Sequence, residues 1–526
     1  MKDLTDGAPQ VLEDLMETEM PPSAAEPTAN GADLPGSRKS KLPENAADRC
    51  IAIALRCDLF HDERNDSYAA WADKSGVRRV ARIGRKAGGR DFCRYLAHTY
   101  FKEHGQAPGG EAISMAIQVA DAKAANEGAC HPLDVRFQVK PDGVWLDLVD
   151  NRWRAIRVTA DSWQIVERPP ILFRRFSHEQ PMPIPLPGGD FRRVFEFLNL
   201  KSEADRVLAL AWLATAPMVN VPRPALILHG IKGSCKTCGA RVLRQTVDPS
   251  VLDGLVLPRK PDELAQVLDH HAVACFDNLT RLQAWQADVL CAAVTGGAFA
   301  KRELYTDTDD ILMNFKRTFI ITGINVPTAA PDFLDRSLLI ELSPPAVRLA
   351  ETDLSRRLEE ARPEILGGLL DTLVGAMRRH DGVSVPMPSR MADFERWGAA
   401  VAETLGYGAE CFLEAYARNR DLQVEEVLEG DSVAAALRDF VADERQWKGT
   451  AKQLLDEIGD RNQTASRARD WPQSPERLGR LLRILQPTLA EAGVRIELSR
   501  GRGKRGRVIG LWAAESVQPE EASRDD

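Results

Sequence analysis

The chain has 526 residues, 28% of them charged and 44% hydrophobic, with 69 basic against 77 acidic side chains and a formal net charge of −8. That length exceeds what one ordinary hydrophobic core serves, so several domains are expected. The acidic balance excludes a chain that is basic over its whole surface, and any nucleic-acid contact must come from local patches.

No stretch approaches the roughly 18 apolar residues of a membrane span, and the N-terminus lacks the basic start and apolar middle of a signal peptide. A cytoplasmic protein with no membrane partner is expected. Residues 1–47 are rich in Ala, Pro, Glu, Asp and Gly and poor in aromatic residues. They cannot bury enough surface to offset ordering entropy, and they read as a disordered acidic tail ending in Arg38-Lys39-Ser40-Lys41.

Residues 48–189 read as an accessory α+β domain. A short strand is expected at Tyr68–Trp71, and helices at Arg90–Glu103 and Gly110–Asn126. Strands follow at Val135–Val139, Gly143–Leu148, Arg152–Val158 and Trp163–Val166, separated by the turn formers Pro141-Asp142-Gly143 and Asp150-Asn151. The Pro-dense run Pro181–Pro187 marks the exit. Apolar residues at helical spacing predict a helix over Phe191–Val219.

The most informative stretch follows. Ala225-Leu226-Ile227-Leu228 reads as a buried strand, and Gly230-Ile231-Lys232-Gly233-Ser234-Cys235-Lys236-Thr237 as a phosphate loop that opens a helix through Cys238. The pattern G-x-x-x-x-G-K-[ST] uses backbone N–H groups to wrap a polyphosphate, a Lys to reach the outer phosphates, and a hydroxyl to ligate Mg²⁺. Gly230, Gly233, Lys236 and Thr237 fit it, whereas Cys235 stands where the pattern wants its second glycine. A small side chain there is tolerable if it points outward, with weaker nucleotide affinity as the expected consequence.

Nine cysteines are scattered along the chain. The only C-x-x-C, Cys235 to Cys238, lies in the phosphate loop, and the pairs Cys57 with His61 and Cys130 with His131 lack a second pair at metal-binding spacing. Buried thiols are the expected reading.

An ATPase needs more than a loop. His271–Phe276 is an apolar strand ending in Asp277-Asn278, a Walker-B arrangement that would set Asp277 beside the Mg²⁺ held through Thr237. Many such ATPases carry Glu where Asn278 stands, and an amide orients water without accepting its proton. A third apolar strand, Thr318–Asn325, ends in polar groups and offers Thr322 and Asn325 as candidates to sense the γ-phosphate. Arg336, in Asp335-Arg336-Ser337, either forms an ion pair in cis or reaches a neighbouring subunit's nucleotide as an arginine finger.

Beyond this core, residues 190–345, helices are expected at Ser355–His380, Met391–Thr404 and Ala409–Arg420, a helical lid or linker over 346–430. Residues 431–513 carry three expected helices, Ser432–Glu444, Thr450–Ile458 and Ser474–Ala492. Strands at Arg495–Leu498 and Val508–Trp512 then flank a Gly-rich basic turn, the order of a winged helix. Arg500, Arg502, Lys504, Arg505 and Arg507 gather on that turn, and Arg477, Arg480 and Arg483 share one face of the last helix. These are candidate nucleic-acid contacts. Solvated charges serving only interdomain packing are the alternative. Residues 514–526 read as a disordered tail.

The series Gly230–Thr237, Asp277-Asn278, Thr295–Asp307, Ile320–Asn325 and Leu334-Asp335-Arg336 resembles the ATPase core of phage and poxvirus-type primase-helicases, the superfamily III branch of AAA+ proteins. It also resembles ATP-binding proteins of bacterial mobile elements and prophages. The resemblance spans roughly Arg56 to Trp512. It implies an α/β P-loop NTPase core, ATP and Mg²⁺ as cofactors, and a ring homo-oligomer, a hexamer, with nucleotide at subunit interfaces and DNA, single-stranded or forked, in a central channel. Within Thr295–Tyr305 it implies a DNA-tracking loop, with Lys301 and Arg302 as phosphate contacts and Tyr305 beside them.

The expected function is an ATP-dependent DNA helicase or translocase of a mobile element, acting in DNA replication. The alternatives are a non-motor ATP-switch initiator or defence-type scaffold, and a DNA-binding regulator with a weakened nucleotide site. No primase metal cluster is visible in the N-terminal domain, which leaves priming to a separate partner.

Overall fold

The computed structural model describes residues 45–84, 89–302, 310–314, 316–327, 330–386, 388–467, 471–500 and 507–513. The expected tails, 1–44 and 514–526, lie outside the described residues, as do Tyr305, Arg502, Lys504 and Arg505. The described residues from Ala46 onward form one compact unit.

The chain opens with helix α1 (Ala46–Ala54), strands β1 (Asp58–His61), β2 (Ser67–Ala72) and β3 (Arg78–Arg82), and helices α2 (Arg90–His104) and α3 (Gly110–Glu127). The three strands form an antiparallel sheet in the order β1-β2-β3. Apolar residues of the three helices, among them Ile53, Phe92, Leu96 and Ile117, close over it as a core of their own.

Next come β4 (Asp134–Val135), β5 (Phe137–Lys140), β6 (Gly143–Asp147), β7 (Ala155–Val158), β8 (Trp163–Val166) and β9 (Phe173–Arg174). Strands β5 to β8 are an antiparallel meander, as the alternating apolar pattern and turn residues predict. The expected first strand is split because Arg136 takes φ 63°. Phe137, Val144, Leu146, Ile156 and Val158 of β5 to β7 belong to the same continuous core as the segment that follows, while Trp145 and Ala155 form a small cluster with Phe173; this sheet packs with the segment that follows and not with the three helices.

The helix expected over Phe191–Val219 is two pieces. A 3₁₀ turn covers Phe191–Glu196, and helix α4 runs from Glu203 to Ala214. Ser202 and Asp205 form a reciprocal capping box that restarts the helix, satisfying N–H groups that a continuous helix would have bonded internally. Between the pieces Leu200 bridges Leu342.

Strand β10 (Ala225–His229) leads to α5 (Lys236–Val247), α6 (Pro261–His270), β11 (Val273–Phe276) and α7 (Ala284–Thr295). A hairpin of β12 (Ala298–Arg302) and β13 (Asp310–Asn314) precedes β14 (Thr318–Thr322), helix α8 (Pro331–Leu334) and β15 (Ser337–Glu341). Strands β11, β14, β10 and β15 form, in that order, a parallel sheet. Every residue of β11 and β14 is buried, which is why these strands read as unbroken apolar runs.

Of helices α9 (Glu351–Arg379), α10 (Ala392–Thr404) and α11 (Ala409–Gly430), α10 packs against both of the others and all three pack on α4. The C-terminal segment is α12 (Ser432–Glu444), β16 (Gln446–Thr450), α13 (Ala451–Arg461), α14 (Pro475–Glu491), β17 (Val494–Arg500) and β18 (Arg507–Ala513), with sheet order β16-β18-β17. Side-chain caps start all three helices: Asp431 for α12, Thr450 for α13 and Ser474 for α14.

Candidate nucleotide site

The loop 230–237 leaves the C-terminal end of β10, where the buried strand gives way to α5. Gly230 and Gly233 have φ of 141° and 89°, and a Cβ on Gly230 would lie 2.4 Å from the Leu342 carbonyl oxygen. The loop can turn only because these positions lack side chains.

Cys235 sits at the helix N-cap with φ 56° and ψ 36°. This left-handed conformation is the physical reason the pattern wants glycine there. Its thiol is exposed, so the side chain points away from the loop interior. Ser234 is fully buried, while Ile231 is 63% exposed.

Lys236 folds back over the loop. Its Nζ donates to the carbonyl oxygens of Gly230 at 2.8 Å and Ile231 at 3.1 Å. Lys232 is exposed, and Cys238 is half-buried one turn into α5. Burial, then the neighbouring Cys235 thiol, pushes the Cys238 thiol up. Burial alone accounts for most of the rise of Cys275 to about 12. Cys50, Cys57, Cys275 and Cys291 are buried as expected, whereas Cys130, Cys235 and Cys411 are exposed.

Three strand ends converge beside this loop. The Thr237 hydroxyl donates to Asp277, with Oγ1 at 3.0 Å from Oδ1 and 3.3 Å from Oδ2. The Thr322 hydroxyl donates to the same Oδ1 at 2.5 Å and accepts the backbone N–H of Asn278 at 2.8 Å. The sheet order explains the meeting: β14 lies between β10 and β11, so its last residue falls between the loop and the acid.

Of the two residues at the end of β14, Thr322 is the one bonded to Asp277. Asn325 is exposed past the strand end, next to Ile324, whose carbonyl accepts from Gly230 N–H at 3.2 Å. Asn278 takes φ 57° and its side chain is exposed. Asparagine visits this region more readily than most residues.

Asp248, at the end of α5, accepts from Val273 N–H at 3.0 Å and so fixes the start of β11. His271 bonds Arg244 at 2.8 Å. Burial, then the His178 ring 3.9 Å away, pushes the His271 imidazole down to about 3.

Arg336 does not join this group. It is 6% exposed, and its Nη1 lies 2.6 Å from both the carboxylate and the carbonyl oxygen of Asp332, one turn back in α8. The Arg336 carbonyl accepts from Ala225 N–H at 2.9 Å. Of the two placements open from sequence, the chain adopts the ion pair in cis, because α8 folds the preceding turn under the guanidinium. Arg390 is the more exposed cation of the cluster, bonded to Asp332 at 2.7 Å.

Sequence reasoning missed Arg348. It is exposed in the segment before α9, and a Cβ on Gly233 would lie 2.7 Å from its Nη2. A cation therefore lies against the loop 230–237. No local pattern marks a residue placed only by the return of the chain after β15.

The remaining candidates are spread elsewhere. Lys301 and Arg302 close β12, which pairs with β13 from Ala298↔Asn314 to Arg302↔Asp310. Arg477, Arg480 and Arg483 are on α14, opposite the buried Leu478, Leu482, Leu485 and Leu489. Arg500 and Arg507 are register partners at the end of the β17–β18 ladder next to the connecting segment. Among the described residues no group of three or more His, Cys, Asp or Glu side chains is placed to hold a metal, and no helix is long and apolar enough to cross a membrane.

Solved structures similar to this chain include the SCCmec type IV Cch active helicase, 12% identical with a TM-score of 0.45 over 87% of this chain and 92% of that one. The C-terminal region of NrS-1 is 12% identical, with a TM-score of 0.38 over 89% of this chain and 99% of that one. The JCV helicase is 16% identical, with a TM-score of 0.22 over 40% of this chain and 58% of that one. At these scores the likenesses carry no argument about chemistry. No curated protein matches the chain in sequence.

Residues 191–423 match the family model of the actinomycete integrative conjugative element replication protein, and residues 433–522 match the model of that family's C-terminal domain. The two matches follow in order and together take in more than half of the chain, which belongs to the replication-protein family of actinomycete integrative conjugative elements.

Proposed function

We propose that this protein is an ATP-dependent DNA helicase or translocase with a P-loop core of the AAA+, superfamily III type, working in replication of its mobile element. One observation carries the reading: the Thr237 hydroxyl and the Asp277 carboxylate meet at 3.0 Å beside a glycine-turned loop that holds Lys236. Family membership supports the replication role.

The hydroxyl and carboxylate are hard oxygen donors, the set that suits Mg²⁺. When bound, Mg²⁺ would offset phosphate charge. The chain's own residues do the rest. Backbone N–H groups of 231–237 cradle the phosphates, and Lys236 leaves its two carbonyl partners to reach the outer ones. Thr322 holds Asp277 in place, and Asn278 and Asn325 are amides placed to orient water.

In this reading the segment 431–513 is a winged helix, supported by its order of helix, strand, two helices and two strands. It binds DNA through Arg477, Arg480, Arg500, Arg502, Lys504, Arg505 and Arg507, while Lys301 and Arg302 contact single-stranded or forked DNA. The working form is a ring, a hexamer. Completion of a neighbour's site by Arg336 requires it to leave Asp332.

A second reading, a non-motor ATP switch, is favoured by Asn278, which supplies no proton acceptor where hydrolysis needs one. ATPase assays with single-stranded DNA, run beside fork unwinding, separate the two. The motor reading expects stimulated turnover and unwinding, both abolished in Lys236→Ala. Stimulation without unwinding selects the switch.

A further inference from the structure

The connection between β15 and α9 is tied down at both ends. Leu342 N–H donates at 2.9 Å to the carbonyl of His229, the residue just before the loop 230–237, and the Asn199 side chain donates to the carbonyls of Ser343 at 2.7 Å and Pro344 at 2.8 Å. At the far end Glu351, the first residue of α9, forms an ion pair with Arg241 of α5. The anchors include β10, which leads into the loop, and α5, which leaves it. The segment between them is thereby held beside the loop.

Arg348 lies within this segment. It is exposed, and among the described residues no hydrogen bond or ion pair engages its guanidinium. A Cβ on Gly233 would come within 2.7 Å of its Nη2, and within 4 Å would meet no other described side chain or backbone outside the glycine's own neighbours. The missing side chain is what lets this cation close on the loop backbone.

The cations first expected to act on the phosphates are otherwise engaged. Lys236 Nζ is bonded to the carbonyls of Gly230 and Ile231, and Arg336 is paired with Asp332. Arg348 keeps the N–H donors of a planar fork open, and that fork matches phosphate oxygens, to which it can donate parallel hydrogen bonds.

We infer that Arg348 is a nucleotide-contacting residue that donates, in cis, to the polyphosphate held by the loop 230–237. The inference rests on the nucleotide reading above and adds to it a phosphate contact from the same subunit, whereas Arg336 would have to leave Asp332 to serve a neighbour.

The test titrates a fluorescent ATP analogue with Mg²⁺ against wild type, Arg348→Ala, Arg348→Lys and Lys236→Ala, with thermal melts of each nucleotide-free protein. ATP turnover is measured for each variant alone and for Arg348→Ala mixed with Lys236→Ala. Loss of a charged hydrogen bond to phosphate weakens binding about 10- to 100-fold. Arg348→Ala is expected to lose that much affinity at an unchanged melting temperature, because its exposed side chain bonds nothing in the free protein. Arg348→Lys keeps the charge without the fork and is expected to recover part of the loss. The mixture is expected to turn over no faster than the sum of its parts, since a cis residue cannot be lent to a neighbour.

Wild-type affinity in Arg348→Ala, with Lys236→Ala weakened, overturns the inference and leaves the nucleotide reading standing. A lower melting temperature with affinity intact also overturns it, as the mark of a structural arginine. Restored turnover in the mixture overturns the cis contact, because Arg348 of one subunit would then serve the loop of another. Wild type that binds no analogue sinks the nucleotide reading and the inference together. Should Arg348→Ala not fold, Arg348→Gln takes its place in the titration: weaker binding supports the contact and equal binding overturns it.

Discussion

The Thr322 hydroxyl is bonded at 2.5 Å to Asp277 Oδ1, 45 residues away in sequence, and accepts the N–H of the next residue, Asn278, at 2.8 Å. One side chain at the end of β14 thus fixes both the acid and the backbone that follows it. Since Thr237 donates to the same carboxylate, the loop, the acid strand and β14 are joined through a single group. Displacing any of the three disturbs the other two.

Thr322→Val keeps the shape of the side chain and removes both hydrogen bonds. Loss of such a supporting partner typically lowers activity about 10- to 100-fold. ATP turnover is expected to fall by that amount, with Thr322→Ser recovering most of it. Equal turnover in Val and Ser variants would show that Thr322 only fills space.

Cys235 offers a test of strain. A non-glycine residue in the left-handed region carries roughly 1–2 kcal/mol, and φ is 56° here. Cys235→Gly should therefore exceed Cys235→Ala in unfolding free energy by about 1 kcal/mol, measured in urea. Parity between the two variants would mean that the loop relaxes away from this conformation.

Asp269 joins the N-terminal segment to α6. Arg64 bonds it at 2.7 and 2.9 Å, and Arg174 at 2.9 and 3.2 Å. Burial pushes its carboxyl up, but the Arg64 hydrogen bonds and the Arg174 charge outweigh that and hold it well below the usual carboxylate range. A depressed acid stabilises the fold above its unfolded value near about pH 4 and loses that contribution as pH falls further. Asp269→Asn is expected to destabilise the fold at pH 7 by about 3–5 kcal/mol, because two arginines are left without their shared charge. Stability of the variant should also change less than that of the wild type below about pH 4, and parallel pH profiles would rule out the linkage.

The exposed face of α14 predicts a salt effect. Reversing Arg477, Arg480 and Arg483 to Glu leaves its buried leucines untouched, so the melting temperature is expected to hold. Duplex binding should weaken, with the salt slope reduced by about 0.9 for each phosphate that is no longer neutralised. An unchanged slope would assign these arginines to solvent alone.

Much of the fold was legible where the signal is local. The strand, loop and helix at 225–247 and the capped helices of the C-terminal segment follow from apolar runs, glycines and capping residues within a few positions. Strand β16 went unread because its five residues alternate exposed and half-buried, with one aromatic residue and a glycine among them. The helix over Phe191–Val219 was read too long because apolar spacing continues across a break set by Leu200 and Ser202, whose partners are distant or capping groups.

The sequence by itself determined which chemical groups exist: a glycine-turned loop with Lys236 and Thr237, an acid after an apolar strand, and basic residues on α14 and the final hairpin. Tertiary structure decided which of them meet. Placing β14 between β10 and β11 brings Thr322 to Asp277 and leaves Asn325 beyond the strand end, and the α8 turn commits Arg336 to Asp332. The return of the chain after β15 lays Arg348 against Gly233. Sheet order and chain return are long-range properties, fixed by burial of whole strands, and no residue's neighbours in sequence record them.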